Sequence, residues 1–174
     1  RQAGARVELA AQPPLVALLR EQPYLADVYG YDDLPTGIDY QVLLLDLPRA
    51  FATRPDSVPP VEPFLQVHSR VSERWRRELA RFPKPWVAVN WRGNPRYAWD
   101  HFRSTTAETL APLWRNREGT WFHLDPGGSP PAPLVNPLPA SATIADTAAI
   151  LQQMDLTITT DTMLAHLAGS LGVR

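Results

Sequence analysis

The alternation of apolar and polar stretches divides the chain into short strands and helices. In the first half, the pattern predicts a strand at Val7–Ala10 and a helix that begins at Pro13, where the first helical turn tolerates proline. Val28–Tyr29 is a second short strand candidate. The dense apolar run Tyr40–Leu45 predicts a strand covered on both faces, and Ser69–Phe82 predicts a charged amphipathic helix.

From residue 86 onward, strand patterns and helix patterns alternate regularly. The predicted strands are Trp86–Trp91, Trp121–Leu124 and Leu156–Thr159, and the predicted helices are Ala107–Trp114, Asp146–Met154 and Met163–Leu171. This order predicts a parallel sheet with helices on its faces and right-handed crossovers. The segment Phe82–Pro85 predicts a boundary because its two prolines end the preceding helix, which gives domains at 1–82 and 83–174.

The prolines concentrate in two stretches, Pro48–Pro63 and Pro126–Pro139. The chain contains 19 prolines, and we expect both stretches to be extended or turn-rich, without regular strand pairing. The second stretch could serve as a disordered linker. Because its flanks read as structured, we expect an ordered surface loop instead.

Composition excludes several classes of function. The 174 residues are 44% hydrophobic, which supports a packed core. The net charge of −1 argues against a nucleic-acid or anionic-membrane partner, and no apolar run approaches the roughly 20 residues that span a bilayer. The absence of cysteine excludes disulfides, thiolate metal sites and a cysteine nucleophile. The four histidines lack metal-ligand spacing, so we expect no metal.

The polar turn after the last predicted strand is the first candidate site. Asp161 and Thr162 precede the helix, and His166 lies on its polar side. A strand that runs into a helix directs free N–H groups and the positive end of the helix dipole beyond the edge of the sheet, where phosphorylated ligands bind. In the alternative interpretation, Asp161 or Thr162 caps the helix and His166 is a surface histidine.

The loop after the strand Trp86–Trp91 is the second candidate. Its charged and polar side chains are Arg92, Asn94, Arg96, Asp100, His101, Arg103 and Ser104. Trp91 and Trp99 flank the candidate site. Arginine suits a diphosphate because its planar fork donates paired, charge-assisted hydrogen bonds. In the alternative interpretation, the loop is a solvated surface segment in which arginine pairs with Asp100.

Several segments carry a family resemblance. TTDTMLAHLAGSLG, at residues 159–172, resembles the D-T-x-x-x-H-L-A-x-x-L-G signature of glycosyltransferase family nine. That family includes the heptosyltransferases and the glycosyltransferase-like domains that follow tetratricopeptide repeats in bacterial proteins. Ala145–Asp155, Asn90–Ser104 and Leu44–Pro59 are similar to segments of the second group. The four matches are collinear, which makes the set more specific than any one of them.

The resemblance implies a fold and an activity. The fold would be α/β of the GT-B type, with two Rossmann-like units of parallel sheet, both incomplete in this chain. The activity would be metal-independent, inverting transfer of a hexose, N-acetylhexosamine or heptose from a nucleotide sugar to a protein or glycan acceptor, in the bacterial cytoplasm and without a cofactor. The donor-binding residues would be Asp161, Thr162, His166, Asn94, Arg103 and Arg92, and Asp146 with Thr147 matches a family segment near the donor.

The catalytic base is the part of the family pattern without a match. In the family it is an aspartate of a G-x-G-D-type segment that would precede Arg1, so we expect a fragment without the base, with tetratricopeptide repeats as a candidate upstream partner. The alternative function is a degenerate or truncated scaffold domain that binds a nucleotide or a partner without turnover.

Overall fold

The protein is an α/β molecule with two small parallel sheets and helices, a topology compatible with Rossmann-like units. A computed structural model describes residues 4–58, 62–115 and 117–174. In chain order, the elements are β1 (Glu8–Ala10), α1 (Pro13–Arg20), β2 (Asp27–Tyr29), α2 (Leu47–Ala50), α3 (Ser69–Leu79), β3 (Trp86–Asn90), α4 (Ala107–Leu110), β4 (Thr120–His123), α5 (Ile144–Leu151), β5 (Leu156–Thr159) and α6 (Met163–Leu171). Short 3₁₀ turns occur at Leu44–Asp46, Asp100–Phe102 and Ala111–Leu113.

The first sheet pairs β1 with β2, and the second has the strand order β4-β3-β5. All pairs are parallel. The central strand β3 is buried on both faces, as expected for a parallel strand between helices. Its side chains alternate, so that Trp86 and Ala88 join one apolar cluster while Val87 and Val89 join another.

The larger cluster lies on the face covered by α3, α5 and α6. Trp75, Leu79, Ile150 and Leu164 belong to it, and Leu18 of α1 contributes from the first unit. The smaller cluster contains Ala111 and Trp114, which follow α4, and partly buried residues of α4 pack on it. The helices that connect the strands of the second sheet therefore lie on opposite faces. The predicted boundary at residues 82–85 stays a prediction.

Most predicted elements are present, and three helices are shorter than predicted. The helix predicted at Ser69–Phe82 is α3, which ends at Leu79. The predicted helix Ala107–Trp114 continues beyond α4 only as a 3₁₀ turn. Pro112 has no N–H to donate, so the α-helical hydrogen-bond ladder is interrupted there. The helix predicted at Asp146–Met154 is α5, which begins two residues earlier because Thr143 caps it, and which ends at Leu151.

The predicted strand at Tyr40–Leu45 is wrong. The segment is extended and then enters the 3₁₀ turn at Leu44, and it pairs with no strand of the described chain. Tyr40 and Leu45 are almost fully exposed. A parallel strand needs a crossover helix to cover it, and no helix lies between Tyr29 and Tyr40. The run is apolar, as the sequence shows, but none of the described residues covers its side chains.

The two proline-rich stretches differ. Pro48–Pro63 contains most of α2, and residues 59–61 lie outside the described part. Pro126–Pro139 is ordered as predicted, although it is more than a surface loop. Leu134 and Leu138 are buried, and Val135 runs beside β4, donating from its N–H to the carbonyl of Trp121 at 2.9 Å.

Candidate functional site

The strand order places a topological switch point at the carboxyl ends of β3 and β5. The chain leaves β3 toward α4 on one face of the sheet and leaves β5 into α6 on the other. Open α/β sheets bind ligands where adjacent strands continue to opposite faces. The last residues of the two strands, Asn90 and Thr159, are register partners, and the N–H of Thr160 donates to the carbonyl of Asn90 at 3.2 Å.

Thr162 lies at the centre of this edge and is buried. Its Oγ1 accepts from the N–H of Leu164 at 3.3 Å, so it caps α6. The Nδ2 of Asn90 donates to the same oxygen at 3.4 Å, and Thr159 Oγ1 lies 3.2 Å from it. The capping interpretation of Thr162 is therefore correct. Asn90, which sequence reasoning did not single out, ties the end of β3 to the start of α6.

Asp161 and His166 lie on the solvent side of the same helix start. Asp161 Oδ1 is 3.7 Å from His166 Nε2, and the two side chains are 78% and 80% exposed. Their hydrogen-bonding atoms are open to solvent and take no part in the core. This pair and the cap of α6 form the part of the predicted site that the fold brings together.

The loop Arg92–Ser104 is organised around Asp100. Arg103 Nε donates to Asp100 Oδ1 at 3.0 Å, and Ser104 Oγ donates to Oδ2 at 2.7 Å. The hydrogen bond from Ser104, followed by that from Arg103, lowers the pKa of Asp100 despite its partial desolvation. Ser104 Oγ also accepts from the N–H of Gly93 at 2.9 Å. Arginine therefore pairs with Asp100, as the alternative interpretation of this loop expected.

Close approach explains the glycine in this loop. A Cβ on Gly93 would overlap Asp100 Oδ1 and lie 2.8 Å from a terminal guanidinium nitrogen of Arg103. Asn94 uses its Oδ1 to accept from the N–H of Arg96 at 3.0 Å, which makes it a turn former.

Arg92 leads to a cluster at the ends of β3 and β4 that sequence reasoning missed. It donates to Asp125 Oδ2 at 2.9 Å. His123 is buried and stacks on Trp91, with ring centroids 3.8 Å apart and an interplanar angle of 11°. Its Nδ1 lies 3.0 Å from the carbonyl of Val89, and burial lowers the pKa of His123. The signal in the sequence was a histidine at the end of an apolar strand.

The predicted donor-binding residues thus occupy separate groups. Asp161, Thr162 and His166 share the start of α6, whereas Arg103 pairs with Asp100. Within the described chain, the side chains of Arg92, Asn94 and Arg103 form their hydrogen bonds and ion pairs with other partners and not with the group on α6. The donor-binding role of these residues stays a prediction, and the structure gives the position of each side chain.

Asp146 belongs to the core rather than to this edge. Its carboxylate accepts from both the N–H and the hydroxyl of Thr143 at 2.8 Å, from the indole N–H of Trp75 at 2.9 Å, and from Arg74. Burial alone raises the pKa of Asp146, but the hydrogen bonds from Thr143 and Trp75 with the charge of Arg74 outweigh it and lower the pKa. The contacts with Trp75 and Arg74 hold α5 against α3, whereas those with Thr143 cap α5 itself. Thr147 donates to the carbonyl of Thr143 at 3.4 Å.

The described residues show no cluster of histidine, aspartate and glutamate side chains that could hold a metal ion. Residues 4–58, 62–115 and 117–174 form no helix that is long and apolar enough to cross a membrane. No family model, curated protein or solved structure matches this chain.

Proposed function

We propose that the chain carries the donor-binding part of a metal-independent, inverting glycosyltransferase of the GT-B type, similar to family nine. The observation that supports this function best is the switch point at the carboxyl ends of β3 and β5, with the capped start of α6 and the exposed Asp161–His166 pair beside it. A nucleotide sugar is the proposed donor, and a protein or glycan hydroxyl is the proposed acceptor.

The start of α6 supplies the electrostatic part of the argument. The N–H of Met163, the first helical residue, has no acceptor within the helix, and the aligned peptide dipoles add a partial positive charge there. A departing nucleoside diphosphate develops negative charge at that place in the proposed reaction. His166, one turn along, is free to donate a hydrogen bond to a phosphate oxygen. These donors stabilise charge without a metal ion.

Arg92 is the cation best able to join the donor. Its side chain is 60% exposed and its partner Asp125 is 36% exposed, so their ion pair contributes no more than about 1 kcal/mol. A doubly charged diphosphate competes readily with that pair. Arg103 is 30% exposed, pairs with the 13% exposed Asp100, and lies over the ring of Tyr97 at 4.9 Å. Arg103 therefore shapes the loop, and Arg92 is assigned the phosphate contact.

One observation favours the second candidate, a binding module without turnover. Both arginines of the predicted site are already paired with aspartates, and the hydroxyl of Thr162 is engaged as a cap. In that case this edge of the sheet binds a nucleotide or a partner, and no transfer follows.

The test is calorimetric titration of the chain with UDP, ADP and GDP and with their sugar conjugates. We expect saturable binding of one base that weakens at least about tenfold in His166→Ala. The melting temperature should not change, because the His166 side chain is 80% exposed and its ion-pair partner, Asp161, is also exposed. His68→Ala removes an exposed histidine that caps α3; it is the control for nucleotide binding, not for stability, and should bind as the wild type does.

Two outcomes oppose the proposal. Equal binding by His166→Ala and wild type would remove His166 from the donor site. Absence of binding to every nucleotide, in protein shown to be folded, would favour the scaffold function.

A further inference from the structure

An exposed aromatic surface lies on the loop Arg92–Ser104, which borders the candidate site. We call Trp99, His101 and Phe102 the aromatic platform. Trp99 is 60% exposed and Phe102 is 76% exposed, and their rings stack with centroids 5.9 Å apart. The ring of His101 lies 4.1 Å from that of Phe102. These three rings form one continuous aromatic patch that faces solvent.

The exposure of Trp99 sets it apart from the other tryptophans. The chain contains six, and Trp75, Trp86, Trp91, Trp114 and Trp121 are each at most 8% exposed. A large aromatic side chain left in water forgoes about 1.5–3 kcal/mol of burial free energy. Exposed aromatic clusters of this kind mark places where the protein contacts something else.

The backbone beneath the platform is held in one conformation. The N–H groups of Asp100, Phe102 and Ser104 all donate to carbonyls within the turn, at 2.8–3.1 Å. The carboxylate of Asp100 adds the bonds to Arg103 and Ser104 described above. Because the loop is already ordered, a ligand that stacks on the rings avoids much of the entropy cost of immobilising them.

We propose that the aromatic platform binds a sugar ring of a saccharide chain, which identifies the acceptor as a glycan; the acceptor role rests on the proposed function. The C–H groups on one face of a pyranose carry partial positive charge and suit the negative face of an aromatic ring. The ring's hydroxyl rim needs polar neighbours. The imidazole of His101 supplies one within the platform, and Arg96 is an exposed cation of the same loop.

The surroundings of the platform favour a saccharide over other occupants. The patch is three rings wide and is adjoined in the loop by the ion pair of Asp100 and Arg103, whereas a second protein chain would require a broader apolar area. Arg96 has no carboxylate partner among the ion pairs of the described residues, so a cation remains for hydroxyl or acidic groups of the sugar. The open face suits a chain of sugars better than a single enclosed nucleotide.

Fluorescence quenching tests the proposal, because acrylamide reaches only the exposed Trp99 efficiently. The probes are hexasaccharides of α-glucose, β-glucose, N-acetylglucosamine and galacturonic acid. We expect one of them to protect Trp99 and to lower the quenching constant at least about twofold. Calorimetry should show binding at least about fivefold weaker in Trp99→Ala and Phe102→Ala, with partial recovery in Trp99→Phe. Phe51→Ala is the matched control, because Phe51 is 77% exposed and lies outside the platform.

The outcomes separate this inference from the proposed function. Saccharide binding should depend on Trp99 and not on His166, while nucleotide binding should show the reverse dependence. Failure of all four saccharides to bind folded protein would overturn the platform's assignment even if a nucleotide binds. Protection of Trp99 by nucleotides alone would also overturn it. Saccharide binding without nucleotide binding would support the platform and count against the donor site.

Discussion

Replacement of Asp146 by alanine should destabilise the protein more than any exposed substitution, because one carboxylate serves two helices. In α5 it is the third residue and completes a reciprocal capping box with Thr143. Across the helix interface it accepts the indole N–H of the buried Trp75. Truncation at Asp146 therefore removes a helix cap and leaves a buried donor without its partner.

The two losses can be assigned separate magnitudes. Loss of a helix N-cap contact costs about 1 kcal/mol. An unsatisfied buried N–H costs a further 1–3 kcal/mol, roughly, because its desolvation is no longer offset. The expected decrease in the free energy of unfolding for Asp146→Ala is therefore about 2–4 kcal/mol. In a Trp75→Phe background the donor is absent, and the cost of Asp146→Ala should fall to about 1 kcal/mol.

Urea denaturation of the four proteins in this cycle measures both values, with Asp161→Ala as the control for an exposed acid. Equal costs of Asp146→Ala in the two backgrounds would refute the assigned hydrogen bond to Trp75. The pH dependence gives an independent check. The pKa of Asp146 is lowered in the fold, so its contribution is present above its ordinary value of 3.8 and is lost as the pH falls below it. Asp146→Asn should reduce that loss.

Two further predictions concern single residues. Burial lowers the pKa of His123 below its ordinary 6.5. The contribution of the neutral side chain to stability should therefore be complete above about pH 6.5 and decline as the pH falls. Thermal unfolding of His123→Phe should show a smaller decline across about pH 7 to 5. Gly119→Ala should lower the free energy of unfolding by about 1–3 kcal/mol, because φ is +89° and a Cβ would lie 2.8 Å from the backbone nitrogen of Pro85. The matched change Gly169→Ala, in open space on α6, should instead raise it by about 0.5–1 kcal/mol, and a decrease would contradict the open helical environment.

The elements that could be predicted are those whose signals are local. The strand β5 and the helix α6 have the residue bounds expected from the sequence, because an apolar run, a capping threonine and a terminal glycine adjoin there. Gly172 takes the left-handed conformation, with φ at 70°, that ends such a helix. The same local reasoning located the loop Arg92–Ser104.

Contacts between distant residues could not be predicted from local patterns. Asp146 reads as a plain acid in a helix, and only its proximity to Trp75, 71 positions away, shows that it belongs to the core. His123 could not be placed on Trp91 for the same reason. The failure at Tyr40–Leu45 is related, since an apolar run reports that cover is needed and not whether the chain supplies it.

At the start of α6, neighbouring residues are constrained by folding to different degrees. Thr162 is buried, caps the helix and holds Asn90, so most replacements there would be removed by selection for folding alone. His166 and Asp161, within one turn, contact each other and solvent, so they can vary at little cost to stability. In the proposed site, divergence at these two exposed positions would therefore alter ligand choice while the scaffold persists. The residue that folding constrains, Thr162, and the residues that would select the ligand in the proposed site, Asp161 and His166, lie within one helical turn of each other.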